Sequence, residues 1–133
     1  MIVADTNLLV YLYVPSTRTA RAEAVFQQDP LWASASLWRS EFRNTLVGLI
    51  RQGSLSVETA RHMAHRAESF MAGREYAVVT DRVLRLAAES GCSAYDCEFV
   101  IVAQDLRVPL VTADRQLLRA FPGTAMSPDE FLR

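Results

Sequence analysis

Two short apolar runs in this chain each end at an aspartate, and the segments between them have helical spacing. Ile2-Val3-Ala4 leads into Asp5, and the run that begins at Leu110 leads into Asp114. Such runs are typical of strands that are buried on both faces of a sheet. Strands that alternate with helices predict a parallel α/β sheet. The functional crevice of such a sheet lies beyond the carboxyl ends of its strands, where both aspartates are expected.

The apolar periodicity, together with the proline and glycine positions, predicts the remaining elements of the chain. Strands are expected at residues 1–4, 31–34, 76–79 and 109–112, with a possible edge strand near 124–126. Helices are expected at residues 6–13, 17–28, 36–53, 56–72, 80–91 and 94–105, followed by one short helix and a polar end. With no repeat and no dividing linker, the chain is predicted to be a single domain spanning residues 1–133.

Composition excludes several function classes. The formal net charge is −1, which argues against a protein that coats nucleic acid by charge alone. All 14 basic residues are arginines, so no mechanism that needs a lysine ammonium or a Schiff base is available. The two cysteines, Cys92 and Cys97, have no further zinc ligands nearby and are expected to be free thiols in a reducing compartment.

No membrane or secretory segment is expected. The unbroken apolar runs, such as residues 99–103, are far too short to cross a bilayer. The N-terminus has no basic segment followed by a long apolar one, so it does not have the pattern of a signal peptide. The sequence therefore predicts a soluble, cytoplasmic protein without membrane contact.

Four acidic residues lie in apolar surroundings where an ordinary surface role explains them poorly: Asp5, Glu41, Asp96 and Asp114. Taken singly, each has a simpler explanation, and Asp5 and Asp114 are also placed to cap the helix that follows. If the four converge, their mutual repulsion raises their pKa values unless cations neutralise them. Mg²⁺ and Mn²⁺ prefer carboxylate and water oxygens, so a metal-dependent hydrolytic site is the hypothesis.

Four segments carry a family resemblance. In order and spacing, Val3-Ala4-Asp5-Thr6-Asn7, Ser40-Glu41, Ser93-Ala94-Tyr95-Asp96 and Leu110-Val111-Thr112-Ala113-Asp114 resemble the motifs of PIN domains. The closest likeness is to the VapC-type ribonuclease toxins of toxin–antitoxin pairs. The resemblance covers nearly the whole chain and implies a three-layer α/β/α sandwich with a central, mostly parallel sheet of four to five strands.

The resemblance also implies the role of each acid in an endoribonuclease that binds one or two Mg²⁺ or Mn²⁺ ions. Asp5 matches the first metal ligand of the family and Asp96 the third acid, usually also a ligand. Glu41 matches the helical glutamate that binds the metal or orients its water. Asp114 matches the fourth acid, which is a second-metal ligand or an outer one.

Three polar residues and two partners are implied in the same way. Thr6, Asn7 and Thr112 match positions that hydrogen-bond and orient the carboxylates. By resemblance, the protein forms a homodimer and is blocked by a small antitoxin that binds it. The apolar surplus on the predicted helical pair, at residues 37–71, suits such contacts.

Substrate contacts are less clearly indicated. Arg39, Arg43 and Arg115 flank the motif acids and either contact RNA phosphates or form ordinary surface ion pairs. Tryptophans 32 and 38 and tyrosines 11 and 13 offer stacking surfaces for unpaired bases, although core packing is the favoured role for most of them. His62 and His65 have metal-binding spacing but no further ligands nearby, so a solvated helix face is expected.

Two other functions remain open from the residues. A phosphatase or phosphoacceptor domain with Asp5 as nucleophile would need a lysine beside the phosphate, and the chain has none. A non-catalytic binding module that retains the fold is compatible with the same acids, because geometry rather than inventory makes a catalyst. The RNA that would be cleaved is not predicted.

Overall fold

The computed structural model describes residues 1–133 and contains one sheet of five parallel strands. The strands are β1 (Ile2–Ala4), β2 (Trp32–Ala35), β3 (Glu75–Tyr76), β4 (Leu110–Val111) and β5 (Ala125–Met126). Their order is β3-β2-β1-β4-β5, and all four pairings are parallel. Val3 on the central strand lies opposite Ala33 on one side and Leu110 on the other. The predicted fold class is confirmed, with a sheet that is wholly parallel.

Eight helices connect or follow these strands. They are α1 (Thr6–Tyr13), α2 (Thr19–Gln28), α3 (Trp38–Arg51), α4 (Val57–Met71), α5 (Thr80–Ser90), α6 (Ala94–Leu106), α7 (Arg115–Ala120) and α8 (Pro128–Leu132). The first six begin and end within two residues of the predicted boundaries. Because no helix combines the length and the apolar character that crossing a bilayer requires, the structure contains no candidate membrane span.

Two elements differ from the sequence-based expectation. Strand β3 covers only Glu75–Tyr76, because the backbone pairs no further than the end of β2 and Val79 is already the N-cap of α5. The predicted polar end contains α8. This helix is stabilised by a capping box in which Ser127 and Glu130 exchange side-chain and backbone hydrogen bonds.

The direction of the connections reverses in the middle of the sheet. Helices α1 to α4 lie on connections that run outward from β1 through β2 to β3. The chain then returns through α5 and α6 to β4, on the other side of β1. Right-handed crossovers place these two sets of helices on opposite faces of the sheet. The switch point therefore lies between β1 and β4, where α/β sheets bind their ligands.

The core fills both layers around the strands. All three residues of β1 and all four of β2 are fully buried, including Trp32. Trp38 and Phe42 of α3 pack edge to face, with ring centroids 5.5 Å apart. Helix α6 is buried on nearly every side between residues 97 and 103 and packs against β1, β2 and β4. Rigid packing on this helix holds its N-terminal turn in place at the switch point.

Candidate active site

Asp5 and Asp114 lie at the carboxyl ends of the two neighbouring strands that form the switch point. Asp5 Oδ1 accepts a hydrogen bond of 2.9 Å from the backbone N–H of Leu8, which caps α1. Asp114 Oδ1 accepts from the N–H groups of Gln116 and Leu117, at 2.8 and 3.0 Å, which caps α7. Both aspartates therefore are helix caps, as the simpler explanation proposed, and they also face a shared pocket.

That pocket, with a volume of about 370 Å³, brings together all four acids selected from the sequence: Asp5, Glu41, Asp96 and Asp114. Polar side chains complete much of the wall, namely Thr6, Asn7, Ser40, Asn44 and Thr45, with Leu37, Tyr95 and Phe99 as the remaining lining residues. No arginine or histidine lines it. The four carboxylates therefore share one cavity without a basic side chain to neutralise them.

Glu41 and Asp96 each enter the pocket from the first turn of a helix. Glu41 lies in the first turn of α3, and its Oε1 accepts a 2.7 Å hydrogen bond from the Thr6 hydroxyl. Asp96 lies in the first turn of α6, where the Ser93 side chain caps the helix by accepting from the N–H of Asp96 at 3.0 Å. All four acids thus lie at helix N-termini, where the helix dipole favours negative charge.

Thr112 connects the two aspartates. Its fully buried hydroxyl donates a hydrogen bond to Asp5 Oδ2 and accepts one of 3.0 Å from the N–H of Asp114. Thr6 and Thr112 therefore hydrogen-bond pocket carboxylates. Asn7 is exposed at the pocket wall, and its side chain makes no hydrogen bond to a carboxylate.

The electrostatics of the pocket agree with this crowding of charge. Burial raises the pKa of Asp5 to about 6; the hydrogen bonds from Thr112 and Leu8 oppose the shift, and the charges of Asp114 and Asp96 add to it. The pKa of Asp96 is also raised, by burial and then by Asp114, against the lowering effect of Ser93. Each ionised aspartate therefore makes the next one harder to ionise.

The donor set of the pocket fits a hard divalent cation, since its four acidic side chains are carboxylates and no basic side chain lines it. No three histidine, cysteine, aspartate or glutamate side chains of the chain lie close enough together to enclose an ion. Internal hydrogen bonds hold Asp5 and Asp114 in their capping positions, and mutual repulsion acts against closer approach. Simultaneous ligation of one ion by three of these carboxylates therefore requires side-chain movement.

A larger cavity of about 770 Å³ lies elsewhere, between the C-terminal end of α6 and the edge strand β5. Its charged lining residues are Arg107 and Glu130, one of each sign. It contains no cluster of carboxylates. The smaller acidic pocket is therefore the candidate active site.

The three arginines selected from the sequence are all outside the pocket wall. Arg39 forms a bidentate ion pair with Glu75, with Nε–Oε1 and Nη2–Oε2 distances of 2.5 and 2.9 Å. Arg43 pairs with Glu68 at 3.3 Å. Arg115 is exposed, directly follows Asp114 and has no ion-pair partner. Only Arg115 is therefore both next to the acids and uncommitted to another residue.

Most of the aromatic side chains considered for base stacking are committed elsewhere. Trp32 and Trp38 are fully buried. Tyr11 and Tyr13 are half-buried, and each has an arginine guanidinium over its ring. Tyr95, which lies in one of the four motif segments, lines the pocket and is exposed. Periodicity did not single it out, because exposure of one helical residue depends on the tertiary fold.

Three further groups behave as expected or nearly so. Glu98 does not line the pocket, although its pKa is raised by burial and by the charge of Glu41. His62 is exposed and lies 3.4 Å from Glu58 on the same helix. Cys92 and Cys97 are buried free thiols.

The fold and the acidic pocket define a PIN-like α/β protein, and comparison with known proteins agrees. The chain is 31% identical over 125 residues to ribonuclease VapC3 of Pyrobaculum aerophilum, covering 92% of this chain and 95% of that protein. The chain therefore belongs to the VapC ribonuclease family. No protein-family profile matches it.

Solved structures share the fold over almost the whole chain. The crystal structure of PAE2754 from Pyrobaculum aerophilum has a TM-score of 0.78 and 25% identity, covering 98% of this chain and 85% of that one. FitAcB from Neisseria gonorrhoeae has a TM-score of 0.70 at 19% identity, and a toxin–antitoxin complex from Klebsiella pneumoniae has 0.68 at 18%. Each of these two matches covers 96% of this chain and 98% of the other.

Proposed function

We propose that this protein is a metal-dependent endoribonuclease and the toxin of a toxin–antitoxin pair. It hydrolyses RNA phosphodiester bonds, with water as the nucleophile, at the cluster of Asp5, Glu41, Asp96 and Asp114. The observation that carries the proposal is the convergence of four helix N-termini, each with its carboxylate, on one pocket with no basic lining residue. Membership of the VapC ribonuclease family supports RNA as the substrate.

The four carboxylates would hold one or two Mg²⁺ or Mn²⁺ ions. A divalent cation there supplies positive charge that offsets the carboxylate repulsion, makes water more acidic and stabilises the leaving oxygen. Asp5 and Asp96, whose pKa values are raised by burial and by neighbouring acids, gain most from this neutralisation.

Two threonines orient the acids of the pocket. Thr112 holds Asp5 through Oδ2, and Thr6 holds Glu41 through Oε1. This leaves Glu41 Oε2 to accept a hydrogen bond from the attacking water. These two hydrogen bonds orient Asp5 and Glu41 before the substrate binds, and the side-chain movement that remains is the movement needed to ligate an ion.

The partners of the protein are part of the same proposal. A cognate antitoxin would bind the protein and block the acidic pocket, and two copies of the chain would form a homodimer. Family membership and the fold shared with toxin–antitoxin proteins support the first of these. The free thiols of Cys92 and Cys97 fit a reducing compartment, and the cytoplasm is the proposed location.

The test is cleavage of a mixed pool of structured RNA by the purified protein in Mg²⁺, Mn²⁺ or EDTA. Asp5→Asn and Asp96→Asn are compared with the parent, and Asp81→Asn is the matched control. Asp81 also lies in the first turn of a helix, α5, but faces a different part of the surface. We expect metal-dependent cleavage in the parent and the control, and its loss in the two site variants.

Two outcomes would count against the proposal. Equal cleavage by Asp96→Asn and the parent would show that the active site lies elsewhere. Binding of Mn²⁺ without cleavage of any RNA would indicate the non-catalytic binding module. A phosphoacceptor role for Asp5 has less support, because both of its carboxylate oxygens accept internal hydrogen bonds and no lysine is present.

A further inference from the structure

Tyr95 is the one exposed aromatic residue of this protein. Of the twelve phenylalanine, tryptophan and tyrosine side chains, the other eleven are buried or half-buried. The Tyr95 side chain is 62% exposed. Aromatic rings bury a large apolar area when they pack, so an exposed ring beside a pocket is a candidate contact for a ligand.

The position of this ring is defined by the start of α6. Tyr95 is the second residue of the helix, and the Ser93 cap fixes the backbone of that first turn. Its neighbour Asp96 is one of the pocket acids, and Tyr95 lines the same pocket. Phe99, one turn further along α6, is buried and also lines the pocket. A well-packed helix therefore holds the exposed ring at the rim of the acidic pocket.

No aromatic ring and no guanidinium packs on the Tyr95 ring. Tyr11, Tyr13 and Trp38 each have an arginine over the ring. Other aromatic residues pack against one another, as Phe26, Trp32 and Phe70 do. Tyr95 takes part in no ring–ring pair and no arginine–ring contact, and its hydroxyl makes no hydrogen bond to another residue. The ring is therefore largely exposed and unpaired, and it is accessible to a planar ligand.

The charge of the pocket indicates which kind of attraction a stacked base would add to RNA binding. An RNA phosphate entering the pocket meets four carboxylates and no basic side chain in the lining. Even with a divalent cation bound there, the lining itself offers the phosphate no positive charge, so attraction that does not depend on phosphate charge would help to hold the strand. Stacking of a base on an aromatic ring supplies such attraction and tolerates any base, because every base has a π-face.

We propose that Tyr95 stacks on an unpaired base next to the phosphate that enters the acidic pocket, and so supplies part of the attraction that holds the RNA strand there. The inference rests on the proposed ribonuclease function and names a substrate-binding residue of the same site. Bases within an RNA duplex are already stacked on both faces and cannot lie flat on Tyr95, whereas bases in loops and single strands can.

The first experiment compares steady-state cleavage by the parent, Tyr95→Phe, Tyr95→Trp and Tyr95→Leu. The substrate is a single-stranded RNA oligonucleotide that the parent cleaves, alone and annealed to its complement. We expect Tyr95→Leu to raise KM by about 5- to 150-fold, the range of base stacking on aromatic residues, with kcat changed less than about twofold. Tyr95→Phe and Tyr95→Trp retain a stacking face and are expected to stay near the parent.

The matched control is Leu84→Ala. Leu84 is 63% exposed, as Tyr95 is, but it lies on α5 and does not line the acidic pocket. We expect its KM to equal that of the parent. A purely structural role for Tyr95 would not separate leucine from phenylalanine in this way, since both are large apolar side chains.

The second experiment observes the contact directly, without cleavage. In the Asp5→Asn background, an oligonucleotide with 2-aminopurine beside the cleaved bond is expected to lose fluorescence on binding, because stacking quenches it. Addition of Tyr95→Leu to that background should abolish the loss of fluorescence. The oligomeric state of the same variants, measured by native mass spectrometry or light scattering, tests whether the ring instead lies in a contact between two copies of the chain.

The outcomes separate the two proposals. No RNA cleavage by the parent overturns the ribonuclease function and the stacking role with it. Cleavage with equal KM for Tyr95→Leu and Tyr95→Phe, or equal cleavage of duplex and single strand, overturns the stacking role alone. A change of oligomeric state in Tyr95→Leu would also overturn it, by assigning the ring to a protein interface.

Discussion

The Thr112 hydroxyl donates a hydrogen bond to Asp5 across 107 positions of sequence. The same hydroxyl accepts from the backbone N–H of Asp114, so one buried side chain ties together the carboxyl ends of β1 and β4. These strands are neighbours only because the connections of the sheet reverse between them. The threonine thus fixes the positions of two acids at the point where the fold places its pocket.

Replacement of Thr112 by valine is the first prediction. Valine fills the same volume but cannot donate to Asp5, and the loss of a hydrogen bond to a buried charged group costs about 1.5–3 kcal/mol. We expect a 10- to 100-fold loss of cleavage, the usual effect of removing a residue that orients a metal ligand. The pKa of Asp5 should rise further, because Thr112 lowers it. Measured in EDTA by carboxyl NMR titration, Thr112→Ser should keep the parent value, and an unchanged pKa in Thr112→Val would contradict the assignment.

Thr6 offers a second prediction, independent of the strands. Its hydroxyl donates to Glu41 Oε1 at 2.7 Å and links α1 to α3. Thr6→Val should lower kcat by about 10- to 100-fold while leaving the free energy of unfolding within about 1.5 kcal/mol of the parent. Thr6→Ser should retain activity. If valine and serine variants cleave RNA equally well, Glu41 does not need this orientation.

The raised pKa of Asp5 predicts how stability depends on pH in EDTA. Burial holds the value at about 6 in the folded protein against 3.8 for the unperturbed group, so between these values the folded state binds more protons. The free energy of unfolding therefore falls as pH rises from about 4 to 6, and the full penalty, up to about 3 kcal/mol, is present above pH 6. Asp96 and Glu98 act in the same direction.

Asp5→Asn isolates this effect. The variant cannot ionise at that position, so it should be more stable than the parent at pH 7.5 and lose about two-thirds of that advantage at pH 4.5. Urea unfolding of both proteins in EDTA at the two pH values is the measurement. If the free energies of unfolding of variant and parent differ by the same amount at both pH values, Asp5 does not titrate in this range.

The last prediction concerns Arg39 and Arg115, because the first has an ion-pair partner within the protein and the second has none. Arg39 forms an ion pair with Glu75, which also accepts from the Trp38 indole at 2.7 Å, so Arg39→Ala should destabilise the fold by about 0.5–1 kcal/mol. Arg115 has no such partner. If it contacts an RNA phosphate, Arg115→Ala should weaken binding at low salt and reduce the salt slope by about one. Salt titrations of RNA binding on both variants test this, and an unchanged slope for Arg115→Ala would remove it from the interface.

Local sequence patterns predicted most of the secondary structure. Helix α1 follows the predicted boundaries because Asp5 caps it and a proline stops the chain beyond Tyr13, and α6 begins where Ser93 caps it. These signals act within a few residues, so they can be read from the sequence. Strand β3 was predicted too long, since its end depends on how far β2 extends beside it. The capping box of α8 is also a local signal, since Ser127 and Glu130 are three residues apart.

For the pocket, the sequence by itself determined which four acids lie in apolar surroundings and which fold class they serve. The tertiary structure decided that they share one cavity, because β1 and β4 become neighbours through the strand order β3-β2-β1-β4-β5, which local sequence patterns do not encode. It also decided that the Thr112 hydroxyl reaches Asp5 and that Tyr95 alone among the aromatic residues remains exposed. The physical reason is the same in each case. Periodicity and capping depend on residues a few positions apart, whereas proximity and burial depend on segments that the sheet brings together from distant parts of the chain.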